Sequence, residues 1–196
     1  MAFILSTHEV SENIEHQMIY QTPLFQMSFD IDNRKLEEEI YNLKETDSGC
    51  VVSNRGGWHS EIYSGQEHFT SLVESIKNHV PELPFSPQLE LKGITIWANV
   101  NGPGCWNAAH THPGCHLSGV YYVKVPDGDC GRITFDDPRE AMSYGDAWLN
   151  ENYVGPTVER YPQEGIMFLF PAGLRHHVDT NRTNSDRISI SFNLLF

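Results

Sequence analysis

From residue 91 to its end the chain is a succession of short apolar or alternating runs cut by Gly, Pro, Asp and Asn. That is the punctuation of strands and turns, and it leaves little room for an all-helical solution. Strands are expected over 91–99, 117–125, 131–135, 157–160, 165–170 and 186–195, and Leu24 to Ile31 supplies another. The front half carries the helical signals. Leu36, Ile40 and Leu43 form one stripe on a short helix beginning near Asp32 or Asn33. Ser64 stands three residues before Glu67, a capping-box spacing, and Phe69, Leu72, Val73, Ile76 and Val80 follow at helical intervals until Pro81 and Pro84. The expected class is mostly β with flanking helices, its sheets closing on one another as a barrel or sandwich. One domain over 1–196 is expected, with 1–90 as supporting strand and helices and 91–196 as the core.

Composition excludes several function classes. Of 196 residues, 39% are hydrophobic and 20% charged, which is globular rather than disordered. A formal net charge of −13, with no basic run, argues against binding a nucleic-acid backbone. No apolar stretch approaches the roughly 18 residues that span a bilayer. Met1 to Tyr20 carries His8, Glu9, Glu12, Glu15 and His16 and has no signal-peptide core, so a soluble, cytoplasmic protein without a membrane partner is expected. Cys50, Cys105, Cys115 and Cys130 lack any Cys-x-x-Cys spacing and read as free thiols. A homodimer is compatible with this composition.

The chemistry concentrates in His110-Thr111-His112-Pro113-Gly114-Cys115-His116, just before the run Leu117 to Val123. In extended chain His110 and His112 point to the same side, so that two imidazoles can meet one metal ion. A third ligand is available from His176 or His177, after the apolar run Gly165 to Pro171. On the last strand Arg187, Ser189, Ser191 and Asn193 alternate with Ile188, Ile190 and Phe192, giving a polar face that starts with an Arg and a Ser two apart. An exposed edge or outer face is the ordinary explanation of such a pattern. A guanidinium fork beside a hydroxyl is also a carboxylate grip.

These residues resemble a known family, the iron(II)- and 2-oxoglutarate-dependent oxygenases on the double-stranded β-helix, or jelly roll, over about residues 93–196. The resemblance extends to a subfamily common in marine bacteria and phages. It rests on six runs in order: Ser53-Asn54-Arg55-Gly56-Gly57-Trp58, Trp97-Ala98-Asn99, His110-Thr111-His112-Pro113, Leu117-Ser118-Gly119-Val120-Tyr121-Tyr122, Phe170-Pro171 leading to His176-His177-Val178, and Arg187 to Asn193. The resemblance implies a jelly-roll core, Fe(II) and O2 as cofactors, and 2-oxoglutarate as a co-substrate decarboxylated to succinate. The family's His-x-Asp motif falls on His110-Thr111-His112 and its distal histidine on His176, with His177 pointing away. The arginine that grips the far carboxylate falls on Arg187, paired with Ser189. Asn99, Asn107, Ser118 and Tyr122 are expected in the pocket.

The chain departs from the family at residue 112, where His stands for the usual Asp, so the expected site is either three neutral imidazoles or, if His112 does not ligate, two histidines and water. Asp136 and Asp137 match no ligand position. The expected reaction is hydroxylation of a peptide or protein side chain or of a small metabolite, with Trp58, Trp106, Trp148 and the loop 138–156, including Tyr144 and Tyr153, as a recognition surface. Two other readings stay open: a cupin-like metal protein that does not use 2-oxoglutarate, weakened by the lack of the glutamate its first motif needs, and a non-catalytic β-sandwich binding module.

Overall fold

The structure, a computed structural model, describes residues 21–65, 67–84, 89–139 and 156–196. Met1 to Tyr20, Tyr144, Trp148 and Tyr153 lie outside the described residues. Helix α1 spans Asn33–Thr46 and opens where Asp32 accepts a hydrogen bond from the Lys35 N–H, capping an otherwise unpaired donor. Its Leu36 and Ile40 are buried. Helix α2 spans Thr70–His79, and Val80–Glu82 finish it as a single 3-10 turn carrying Pro81.

The start of α2 differs from the expected capping box. Glu67 does reach back to the Ser64 N–H, at 2.8 Å, but this closes a turn ahead of the helix. The residue before the first helical turn is Phe69, held left-handed at φ 57°, and its ring is fully buried. A bulky residue at positive φ is strained. Here burial of the ring and a bond from its N–H to the Glu39 carboxylate at 3.0 Å offset that cost.

Two antiparallel sheets face each other. The larger has the order β1 (Phe25–Ser28), β10 (Ile166–Pro171), β7 (Leu117–Lys124), β12 (Arg187–Leu195), β5 (Gly93–Asn101) and β3 (Trp58–His59), and β4 (Tyr63–Ser64) also pairs with β5. The smaller runs β2 (Asn54–Arg55), β6 (Trp106–His110), β11 (His176–Val178), β8 (Ile133–Asp136), β9 (Thr157–Arg160). This is the jelly-roll arrangement. The expected strands all form, with ends shifted by a few residues; β6, β11 and the short pairs at 54–64 were not expected, being too brief or too polar to show a period.

Strand alternation divides the larger sheet into two unlike faces. Ile188, Ile190, Phe192 and Leu194 of β12 join Ile94, Ile96, Ala98 and Val100 of β5 in an apolar core covered by α1 and α2. The helices thus occupy the face that would be expensive to hydrate. The opposite face, carrying Arg187, Ser189 and Ser191, turns toward the smaller sheet. There Val120, Tyr122, Phe168 and Phe170 meet Ile133, Phe135 and Leu174 in a second, smaller core. The polar stripe of β12 is therefore an inner wall, with Arg187 only 1% exposed.

Candidate active site

The cleft between the sheets is lined by residues of both, among them His110, His112, His176, Tyr122, Arg187 and Ser189. His110 ends β6 and His176 begins β11, and these two are direct partners in the antiparallel register. Two residues 66 positions apart are thus placed side by side by backbone hydrogen bonding. His112 follows on the turn after β6, where its N–H donates to the Ala172 carbonyl at 2.9 Å. The ligand-capable nitrogens of His110, His112 and His176 all lie within 4.8 Å of one another, and no carboxylate belongs to this group among the described residues.

Tautomers follow from the partners. Nδ1 of His110 donates to the Ala108 carbonyl at 2.8 Å, and Nδ1 of His176 to the Leu174 carbonyl at 2.9 Å, so each presents an Nε2 lone pair. Nε2 of His112 lies 3.3 Å from Nε2 of His176. Two nitrogens each about 2.1 Å from one ion and at right angles around it would be about 3.0 Å apart, so the spacing suits a shared cation. Burial keeps the cluster neutral: it lowers His112 to about 4 and His176 to about 3, each reinforced by neighbouring imidazoles, and also lowers His110. At neutral pH all three imidazoles are uncharged, the form that can ligate a metal.

Further into the same cleft lies a buried cation. Arg187 Nη1 donates to the carbonyls of Cys130, Gly131 and Asp179. Its Nη2 has no partner, and no carboxylate lies within the ion-pair distance of 4.0 Å among the described residues. The hydroxyl of Tyr122, fully buried beside it in the lining, is also unpartnered, and burial raises its pKa to about 12, so that it remains a donor. A buried guanidinium without an anion is costly, as is an unsatisfied donor. Both costs disappear if a carboxylate enters.

The other expected residues divide. Asn99, Asn107 and Ser189 line the cleft. Ser118 does not: its hydroxyl is buried and donates to Asn193 at 2.7 Å. His177 faces away from the cluster, 3.5 Å from Asp179, and His116 accepts from the Phe196 N–H at 3.2 Å. Asp136 and Asp137 are occupied by Arg175 and Arg139. Trp97, Asn101, Ser53 and Ser191 also line the cleft. Trp97 and Asn101 flank Asn99 at two-residue spacing, a signal that could have found them. Asn101 needs close company: its Nδ2 donates to Asn107, and its Oδ1 packs where a Cβ on Gly57 would come within 2.1 Å.

Three imidazoles able to hold a metal ion and a buried cation without an anionic partner thus share one inter-sheet cleft. The family model described as "Putative 2OG-Fe(II) oxygenase" matches residues 95–193, just over half of the chain, and the chain belongs to that family. It is similar in structure to a Pseudomonas putida prolyl-4-hydroxylase, at 14% identity over 89% of this chain and 92% of that one, with TM-score 0.62. A Trichoplax adhaerens prolyl hydroxylase in complex with a hypoxia inducible factor peptide matches at 16% identity over 88% and 83%, TM-score 0.59. A Burkholderia pseudomallei 2OG-Fe(II) oxygenase family oxidoreductase matches at 13% over 88% and 84%, TM-score 0.59. At such identities the likeness establishes the fold. No curated protein matches. The chain is thus an Fe(II)/2-oxoglutarate dioxygenase, and no helix among its described residues is long and apolar enough to cross a membrane.

Proposed function

We propose that the enzyme hydroxylates a protein side chain or small metabolite, using His110, His112 and His176 to hold iron and Arg187, with Tyr122 and Ser189, to hold the far carboxylate of 2-oxoglutarate. The observation that carries this reading is the unpartnered Nη2 of Arg187, a residue of the same cleft that the three imidazoles line. The donor set fits the metal: three neutral nitrogens on one side leave positions for a chelating 2-oxoacid and for dioxygen. Bound iron would supply dioxygen activation coupled to decarboxylation of the 2-oxoacid to succinate.

The chain's own groups bind, orient and exclude water. The carbonyls of Cys130, Gly131 and Asp179 hold Nη1 of Arg187, which leaves the Nη2 edge for an incoming carboxylate. Tyr122 adds a donor that does not ionise near neutral pH. Ser189 is 6% exposed on the same face as Arg187, with its hydroxyl available to the same ligand. Phe170, Val120 and Ile133 are apolar walls of the same cleft, and a less polar surrounding strengthens charge pairing within it. Asn99, opposite Ser189 in the sheet and held by a bond to Ser191 at 3.1 Å, offers an uncharged polar wall. The prolyl hydroxylases among proteins of similar fold support hydroxylation as the reaction.

The test is anaerobic addition of 2-oxoglutarate to the Fe(II)-loaded protein, followed by air. The expected result is a visible charge-transfer band for the iron–2-oxoacid chelate and succinate formation on exposure to oxygen. Metal binding with neither band nor succinate overturns the reading.

A further inference from the structure

The three imidazoles are not held alike. His110 and His176 each have Nδ1 tied to a backbone carbonyl two residues earlier, so ring orientation is set by the strand itself. Among the described residues no hydrogen bond reaches Nδ1 of His112, whose one side-chain hydrogen bond is through Nε2. Its backbone is anchored, by the Ala172 carbonyl and by the Cys115 thiol that donates to its own carbonyl at 3.2 Å. Anchoring the backbone leaves both side-chain torsions to be fixed by something else.

Three rings pack on that of His112: the imidazoles of His110 and His176, with centroids 4.9 Å and 5.2 Å away, and the indole of Trp97. Of these only Trp97 is not itself a candidate ligand, and its centroid lies 5.8 Å from that of His112 with 30° between planes, inside the range of favourable aromatic pairs. Trp97 is a rigid support: it sits mid-strand in β5, opposite Ser191 of β12, and is 6% exposed. Its indole also packs on the His59 ring, 5.6 Å away at 12°, and His59 is itself fixed, with Nδ1 2.6 Å from the Ser60 carbonyl and 3.3 Å from the Cys50 sulfur.

We propose that Trp97, braced by His59, is the positioning residue for His112, doing by ring contact what a carbonyl does for each of the other two imidazoles. This rests on the reading that His112 is a metal ligand. A ligand displaced from its productive orientation loses affinity for the ion, and loss of an orienting neighbour typically costs about 10- to 100-fold in metal affinity. Since a single ring contact is softer than a charged partner, the lower end is expected here.

The experiment uses Co(II) in the full chain, with affinity measured by chelator competition and geometry by the visible ligand-field spectrum. Trp97→Leu is expected to weaken Co(II) binding about 10-fold and to shift the spectrum toward that of His112→Ala, while Trp97→Phe, which keeps a ring, stays within about 3-fold of wild type. A folded Trp97→Leu protein with wild-type affinity and spectrum overturns the proposal. If His112→Ala itself leaves both unchanged, the ligand reading fails instead, and the two failures are distinct. A third measurement needs no variant. In the proton spectrum of the wild-type Co(II) protein, two strongly shifted ring N–H signals should exchange slowly with water, those bonded to Ala108 and Leu174; three slow signals would show that His112 has its own hydrogen bond and would overturn the proposal.

Discussion

Replacing Arg187 with Met removes the buried positive charge while keeping a chain of similar length and flexibility. Two consequences can be separated by magnitude. For the co-substrate, the variant leaves a carboxylate facing a cleft without its counter-charge, and losing one partner of a buried pair costs about 3–5 kcal/mol. At about 1.4 kcal/mol per decade this is roughly a hundred- to several-thousand-fold in Kd. For the protein without ligand, the terms oppose each other. The carbonyls of Cys130, Gly131 and Asp179 lose their donor, at about 1–3 kcal/mol for the unsatisfied groups, while an unpaired buried charge that costs a comparable amount is removed. The net change should stay within about 2 kcal/mol, or less than about 8 °C in Tm for a chain of this size. Calorimetric titration of 2-oxoglutarate into Zn(II)-loaded wild type and variant reads the first quantity, and thermal unfolding the second. Metal affinity should be nearly unchanged, because the guanidinium is not a ligand. A folded, metal-loaded Arg187→Met protein that binds 2-oxoglutarate as wild type does would refute the assignment.

Two further outcomes follow from the same geometry. Gly131 has φ +85°, and a Cβ there would come within 2.2 Å of the Asp179 carbonyl and 2.7 Å of Arg187 Nη1. Gly131→Ala should therefore lower Tm and weaken 2-oxoglutarate together. Gly128→Ala in the same loop, also at positive φ but with its nearest neighbour at 3.5 Å, should show the backbone strain only; equal behaviour of the two would contradict the clasp. The metal-free protein should lose stability on acidification from about pH 6.5 toward pH 5. Burial lowers His59, His110, His112 and His176 in the folded state, so below the unfolded value near 6.5 the unfolded chain binds protons that the folded chain does not. The slope approaches about 1.4 kcal/mol per pH unit for each of His112 and His176, lowered to about 4 and about 3, and stability is retained above that window. Zn(II) loading should steepen the contrast between neutral and acid pH, since protons and metal compete for the same lone pairs. A flat Tm across this interval in the metal-free protein would show that the cluster is not buried in neutral form.

Much of this was visible in the chain before folding, and what was visible was local. The period-two pattern of residues 187–193 follows from strand geometry and needs no neighbour, so the polar stripe containing Arg187 and Ser189 could be read directly. The helical stripe at Leu36 and Ile40, the Asp32 cap and the His-x-His spacing are local in the same sense. The entry to α2 was misread because a left-handed Phe69 is tolerated only where the surrounding core buries its ring. The bond from Ser118 to Asn193 could not be read from the chain, because the two lie 75 residues apart.

Contacts across long separations could be settled only by the folded chain. Whether the polar face of β12 meets water or an interior depends on which face the helices cover, and that is decided by the apolar area of α1 and α2 seeking a sheet. The register that sets His110 against His176 comes from pairing β6 with β11, two strands too short to announce themselves. The clasp on Arg187 draws Cys130 from 57 residues away and Gly131 from 56. Residue types and their local spacing thus limit which chemistry a chain can perform; convergence of those residues on one cleft is a property of burial and backbone pairing between distant segments, which no local pattern encodes.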